Sequence, residues 1–216
     1  MNKLNLLLCV LLISGCSMFG GGDEDEIKPA ELVKFDQQVK IKKQWSTKVG
    51  GGNKQFWNSL RPAANGDTVF VADHEGKISA IDVATGKRRW STELDVPLSG
   101  GVGYSAGQVL VGSVEGEVYV LSAEDGSVLW SATVSSEILA SPQSNGTVVA
   151  VQTIDNKLFA FDATSGDALW QHEDDAPLLT VRGTSTALVT DRMILAGFDS
   201  GKLIAFNPEN GSLIWE

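Results

Sequence analysis

The sequence is poor in histidine, cysteine and basic residues, and each shortage removes a class of function. Two histidines, His74 and His172, lie far apart and have no neighbour at metal-ligand spacing. Lysine and arginine total 17 against 27 aspartates and glutamates, a net charge of −10. No basic face is available to neutralise phosphates, which argues against nucleic acid. No segment carries a 3.6-residue apolar period long enough for a helix, so a helical repeat is excluded. No Trp-Asp dipeptide closes any segment, which disfavours WD-type repeats. A serine–histidine–carboxylate triad assembles across a fold and leaves no local trace; nothing local favours one here.

What the sequence has is a frame repeated four times, clearest in SAGQVLVGSVEGEVYVLSAEDGSVLW at 105–130 and recurring at 64–90, 144–170 and 188–215. Counting back from the closing tryptophans Trp90, Trp130, Trp170 and Trp215, position −4 is Gly86, Gly126, Gly166 and Gly211. Position −14 is Gly76, Gly116, Asn156 and Gly201, and position −10 is Ala80, Val120, Ala160 and Ala205. Position −9 is Ile81, Leu121, Phe161 and Phe206, and four registers held across four copies make an internal repeat. Its chemistry is β. The runs at 68–73, 108–114, 147–153 and 193–199 are rich in β-branched and aliphatic residues, and second runs follow at 117–122 and 157–162. Asp125-Gly126 and Asn210-Gly211 predict type I′ turns, and Asn156 stands in for glycine where a left-handed residue is needed. Middle runs apolar on both faces predict sheets covered on both sides. The expected architecture is all-β: four-stranded antiparallel blades of a β-propeller over residues 44–216.

Equivalent tryptophans in every copy predict a structural role, each indole docking on the neighbouring blade with its N–H on a carbonyl; a carbohydrate or quinone platform is the competing reading. QWSTKV at 44–49 predicts one further outermost strand without inner partners. Five tryptophan strands then accompany four inner sets, so a self-contained four-bladed ring is not expected, and the exposed face of the last blade predicts instability or aggregation. Asp82 and Asp162 align with Ser122 and Asn207, which points to turn-supporting hydrogen bonds.

Residues 1–15 read as a signal peptide: Lys3, an apolar core from Leu4 to Ile13, then small residues. LISGC at 12–16 resembles the lipobox of bacterial lipoproteins, which implies cleavage before Cys16 and acylation of that cysteine; an ordinary cleaved signal with a chance cysteine is the alternative. Cys9 falls in the discarded part, so no disulfide is expected. Residues 16–43, with Gly20 to Gly22 and the acidic run Asp23 to Glu26, read as the lipidated cysteine and a flexible tether.

AIDVATGKRRW (80–90) and FDATSGDALW (161–170) are similar to the tryptophan-docking repeat of pyrroloquinoline-quinone-type propellers. Together with the lipobox, the acidic linker, QWSTKVG and PLLTVRGTSTA (177–187), they resemble the BamB family of outer-membrane protein assembly lipoproteins. That resemblance implies the amino-terminal half of an eight-bladed propeller, anchored in the outer membrane and facing the periplasm. It implies a non-catalytic scaffold with no cofactor, working with the other subunits of the BAM complex. The implied partner is a POTRA domain of a BamA-like barrel subunit, held through Leu179, Val181 and Arg182. On the residues alone, Leu179 and Val181 could equally face a blade core with Arg182 a solvated charge. The alternative class is a fragment of a quinoprotein dehydrogenase-like periplasmic propeller, whose pattern often includes an adjacent cysteine pair that this sequence lacks.

Overall fold

The computed structural model describes residues 30–36, 38–51 and 58–216, so Cys16 lies outside the described residues. The chain divides into two units, Met1–Lys42 and Lys43–Glu216. The described residues of the first carry no strand or helix, and those of the second carry strands only.

In chain order the strands are β1 (Ser59–Leu60), β2 (Ala63–Ala64), β3 (Thr68–Ala72), β4 (Lys77–Asp82), β5 (Arg88–Glu93), β6 (Leu98–Ser105), β7 (Gln108–Ser113), β8 (Glu117–Ser122) and β9 (Val128–Thr133). They continue as β10 (Gln143–Ser144), β11 (Val148–Gln152), β12 (Lys157–Asp162), β13 (Ala168–Glu173), β14 (Leu188–Val189), β15 (Ile194–Gly197), β16 (Leu203–Phe206) and β17 (Leu213–Trp215). Four sheets result, each a sequential antiparallel meander: β2 to β5, β6 to β9, β10 to β13 and β14 to β17.

The expectation of purely four-stranded antiparallel units needs one correction. β1 adds to the second sheet as a fifth strand, parallel to β6, with Ser59 opposite Gly100 and Leu60 opposite Gly101. It does so where the glycine-rich β6 leaves the edge of its sheet open. Those glycines also admit the neighbouring connection: a Cβ at Gly100 would sit 2.3 Å from the Ile138 carbonyl oxygen, and one at Gly103 would sit 2.1 Å from that of Pro142. The two-residue innermost strands β2, β10 and β14 carry no run of their own in the sequence.

Two further expectations are corrected. Residues 44–49 form no strand, because no described strand forms a ladder with them, although Trp45 still docks on the first sheet and Arg88 Nη2 donates to the Lys48 carbonyl at 3.2 Å. The turn before each outer strand is not type I′. Gly126 and Gly211 have positive φ (76° and 69°), but Asp125 and Asn210 do not. Gly126 N–H donates to the Ser122 carbonyl and Ser122 N–H to that of Ser127, so four residues fill the turn and only the last is left-handed. The predicted hydrogen bonds at its start are present. Asp82 accepts from Thr85 N–H, Asp162 from Thr164 and Ser165 N–H, and Asn207 from Glu209 N–H, all at 2.8–2.9 Å. Asp82 also accepts from Arg89 at 2.7 Å, and that hydrogen bond, helped by Thr85, holds its carboxyl down at about 2.

Asn156 adopts φ 66°, matching the positive φ of Gly76, Gly116 and Gly201. Middle strands β7 and β11 are buried along almost their whole length, as sheets covered on both sides require. Three apolar clusters fill the spaces between successive sheets, with Phe70, Leu98 and Val109 in the first, Leu110, Val120 and Ile138 in the second, and Ala160, Ile194 and Phe206 in the third. Each fully buried large aliphatic among them contributes about 1.5–3 kcal/mol.

The tryptophans tie the sheets together. Each pairs across its own sheet with the small residue at position −10, as Trp130 does with Val120 and Trp170 with Ala160. One bulge residue precedes it on the outer strand, and the indole is aimed at the next sheet. Trp90 Nε1 donates to the Ala123 carbonyl at 2.9 Å, Trp130 to Ala163 at 3.0 Å and Trp170 to Pro208 at 2.8 Å. Trp45 does the same to Val83 at 2.7 Å. Beneath each ring lies the position −4 glycine of the receiving sheet, and any Cβ there would fall within 2.5–2.7 Å of the indole. The structural reading of the tryptophans is the one the geometry supports.

Candidate functional site

The frame repeats at 40-residue spacing from Trp90 to Trp130 to Trp170, then lengthens to 45 before Trp215. The added length lies in residues 174–187, the connection from outer strand β13 to inner strand β14. The corresponding connections after β5 and β9 are shorter, at 94–97 and 134–142. Pro177 interrupts any ladder the segment could join, since proline has no backbone donor.

Leu179 and Val181 lie on this loop at 92% and 89% exposure, and Leu178 is fully exposed beside them. They do not face a sheet core, which settles the alternative left open by the residues alone. Arg182 is exposed but paired. Its Nη2 reaches the Glu137 carboxylate at 2.5 Å, with the Arg182 side chain 44% exposed and that of Glu137 only 9%. Glu137 is held from both sides: its carbonyl accepts the Ile154 N–H, and the following Ile138 N–H donates to Ser113. The ion pair therefore joins the loop to the connection between the second and third sheets.

At the loop's start stands Asp174, where the other copies have the buried apolar residues Leu94 and Val134. Burial works to raise its pKa, but the Ser200 hydroxyl and the Lys202 ammonium outweigh it and hold the carboxyl below the usual range. A buried carboxylate is tolerated here because a hydroxyl and an ammonium from the turn between β15 and β16 both pair with it. Beyond Arg182, the Ser185 hydroxyl lies 3.0 Å from Gln152 Oε1 and accepts the Gly197 N–H at 3.1 Å. Glu137, Leu178 and Ser185 were not singled out by the sequence. The five extra residues between Trp170 and Trp215 are the signal in the sequence that points to this loop as a whole.

Among the described residues, no group of three or more His, Cys, Asp or Glu side chains could hold a metal ion. The site is a surface loop: three exposed apolar side chains in four residues, followed by an arginine anchored at its root. Exposed apolar residues clustered this way suit a contact surface.

A family model described as "Outer membrane protein assembly factor BamB" matches residues 23–97 and 78–216. The outer membrane protein assembly factor BamB of Pseudomonas aeruginosa is 57% identical over 211 residues, covering 98% of this chain and 55% of that protein. The BamB of Escherichia coli K12 is 38% identical over 220 residues, covering 97% and 56%. The chain thus spans about half the length of the curated relatives it matches. Among solved structures, BamB from Moraxella catarrhalis superposes with a TM-score of 0.68 at 26% identity, covering 72% of this chain and 47% of that one. The computationally designed Ika4 protein shares the fold alone, with a TM-score of 0.59 at 16% identity, covering 76% of this chain and 99% of its own. The chain belongs to the BamB family of outer membrane protein assembly factors.

Proposed function

We propose that the chain is a non-catalytic scaffold of outer-membrane protein assembly, gripping a POTRA domain of a BamA-like barrel subunit through Leu179, Val181 and Arg182. The single observation that carries this reading is the exposure of Leu178, Leu179 and Val181 on a loop whose flanks are tied to the third and fourth sheets and to the connection between the second and third. An aliphatic pair beside an arginine suits a binding hot spot, since arginine joins a fork of donors to a stackable plane. Cys16 is the proposed lipid attachment point, placing the sheets on the periplasmic side of the outer membrane with residues 17–43 as the tether. The four sheets are the proposed blades of an eight-bladed propeller, and the outward Leu203, Leu213 and Ile214 of the fourth are the surface the next blade covers.

The test is the affinity of the intact chain for the POTRA region of the barrel subunit. Leu179→Ala and Val181→Ala are each expected to weaken binding by about tenfold or more. Their unfolding temperatures should match the parent's, because neither side chain touches a core. Unchanged affinity in both variants would refute the assignment.

A further inference from the structure

Asn156 is the copy of the frame that departs from glycine, and the backbone does not explain it. Its φ of 66° is one that Gly76, Gly116 and Gly201 adopt with less strain in the same register. Its side chain, buried at 3% exposure, uses both of its donors and one of its two acceptor sites. Nδ2 donates to the Asp174 carbonyl at 3.1 Å and to the Asp175 carbonyl at 3.0 Å, the first two residues of the docking loop. Oδ1 accepts the Asp199 N–H at 3.0 Å, in the turn between β15 and β16. The substitution occurs in the copy that precedes the longest outer-to-inner connection.

We infer that Asn156 is a positioning residue for the docking loop. It pins residues 174 and 175 to the third and fourth sheets at once. The Arg182–Glu137 ion pair and the Ser185 contacts pin the far side. Residues 176–181, with all three exposed apolar side chains, span the gap between these pins. Fixing both ends lowers the ordering cost that a partner must meet on binding the segment between them. The inference takes from the proposed function only that this segment is the docking element; the pinning is a property of the chain alone.

The test is hydrogen exchange on the full chain, read for the amide that opens the loop, Asp174 N–H, which donates to the Asn156 carbonyl at 3.2 Å, and separately for β11 and β12. Asn156→Gly restores the residue of the other three copies, so the sheets should remain intact. It removes both donated hydrogen bonds, and exchange at this loop amide is expected to rise about tenfold. Asn156→Asp keeps the size and the left-handed tolerance but turns the donor into an acceptor, and should accelerate the amide as much as Asn156→Gly. If Asn156→Asp preserves parental protection, backbone freedom and not the carboxamide is responsible, and the inference falls. It falls also if exchange at the loop amide is unchanged in Asn156→Gly, or if β11 and β12 accelerate equally, which would make Asn156 a residue of the sheets. No partner is present in this experiment. Its failure would leave the docking role of Leu179 and Val181 to the affinity measurement.

Discussion

Trp130→Ala is expected to destabilise the chain by about 3–5 kcal/mol, the range for removing a large aromatic from a packed core. The indole is 8% exposed, lies in the cluster between the second and third sheets and sits 6.1 Å from the Phe161 ring. Its N–H is satisfied by the Ala163 carbonyl, so truncation leaves that acceptor without its donor as well as opening a cavity. The Gln108 side-chain amide also donates to Ala163 at 2.7 Å, which spares that carbonyl full orphaning and argues against a loss above the stated range. Chemical denaturation of the parent and the variant measures the difference. A loss below about 1 kcal/mol would mean that the tryptophan does not hold the sheets together.

Gly166→Ala attacks the same joint from the other side. The backbone there has φ 78°, and a Cβ would fall 2.7 Å from Trp130 Cδ2 and Cε3. Left-handed strain of about 1–2 kcal/mol adds to an overpacking cost of about 1–3 kcal/mol, because the rigid ring has no free rotamer to retreat into. Gly107→Ala is the control. Its φ is 79°, but nothing lies within 4 Å of its added Cβ, so only the strain should appear, about 1–2 kcal/mol. Equal losses at the two positions would show that the indole is not seated on Gly166. In the Trp130→Ala background the overpacking cost should disappear, making the double variant less destabilised than the sum of the singles.

The sequence made this joint visible because both halves recur at fixed spacing. The indole and the glycine beneath it are thirty-six residues apart in Trp90–Gly126 and Trp130–Gly166 and forty-one in Trp45–Gly86 and Trp170–Gly211. No local pattern pairs them; the repetition predicts the docking of the indole, and the structure adds the glycine as its seat. Middle strands were legible for the same reason, since burial on both faces writes an unbroken apolar run. The innermost strands were not, because two residues such as Gln143–Ser144 hold too few side chains for any period. The parallel addition of Ser59–Leu60 depends on an edge that exists only once β6 is placed. The type I′ expectation rested on the Asp-Gly pair and missed the longer turn, which the bulge residue before each tryptophan requires.

At the loop, composition alone could not decide whether Leu179 and Val181 point inward, because exposure is a property of the surroundings and not of a dipeptide. The structure decides it, and shows why the arginine beside them is fixed: a buried carboxylate, Glu137, stands 45 residues away in sequence. Asn156 was read for its left-handed conformation, which was right. Its carboxamide contacts could not be anticipated, since both loop carbonyls come from the irregular segment.

The central claim is that the sheets are support and the loop is the contact. A photoreactive amino acid placed at 179, and separately at 129, in the full-length protein in cells tests it most directly. Leu129 is also exposed, at 51%, but lies on the outer strand β9. The account predicts a crosslink to the barrel subunit from position 179 and none from 129. A crosslink from 129 with none from 179 would contradict it.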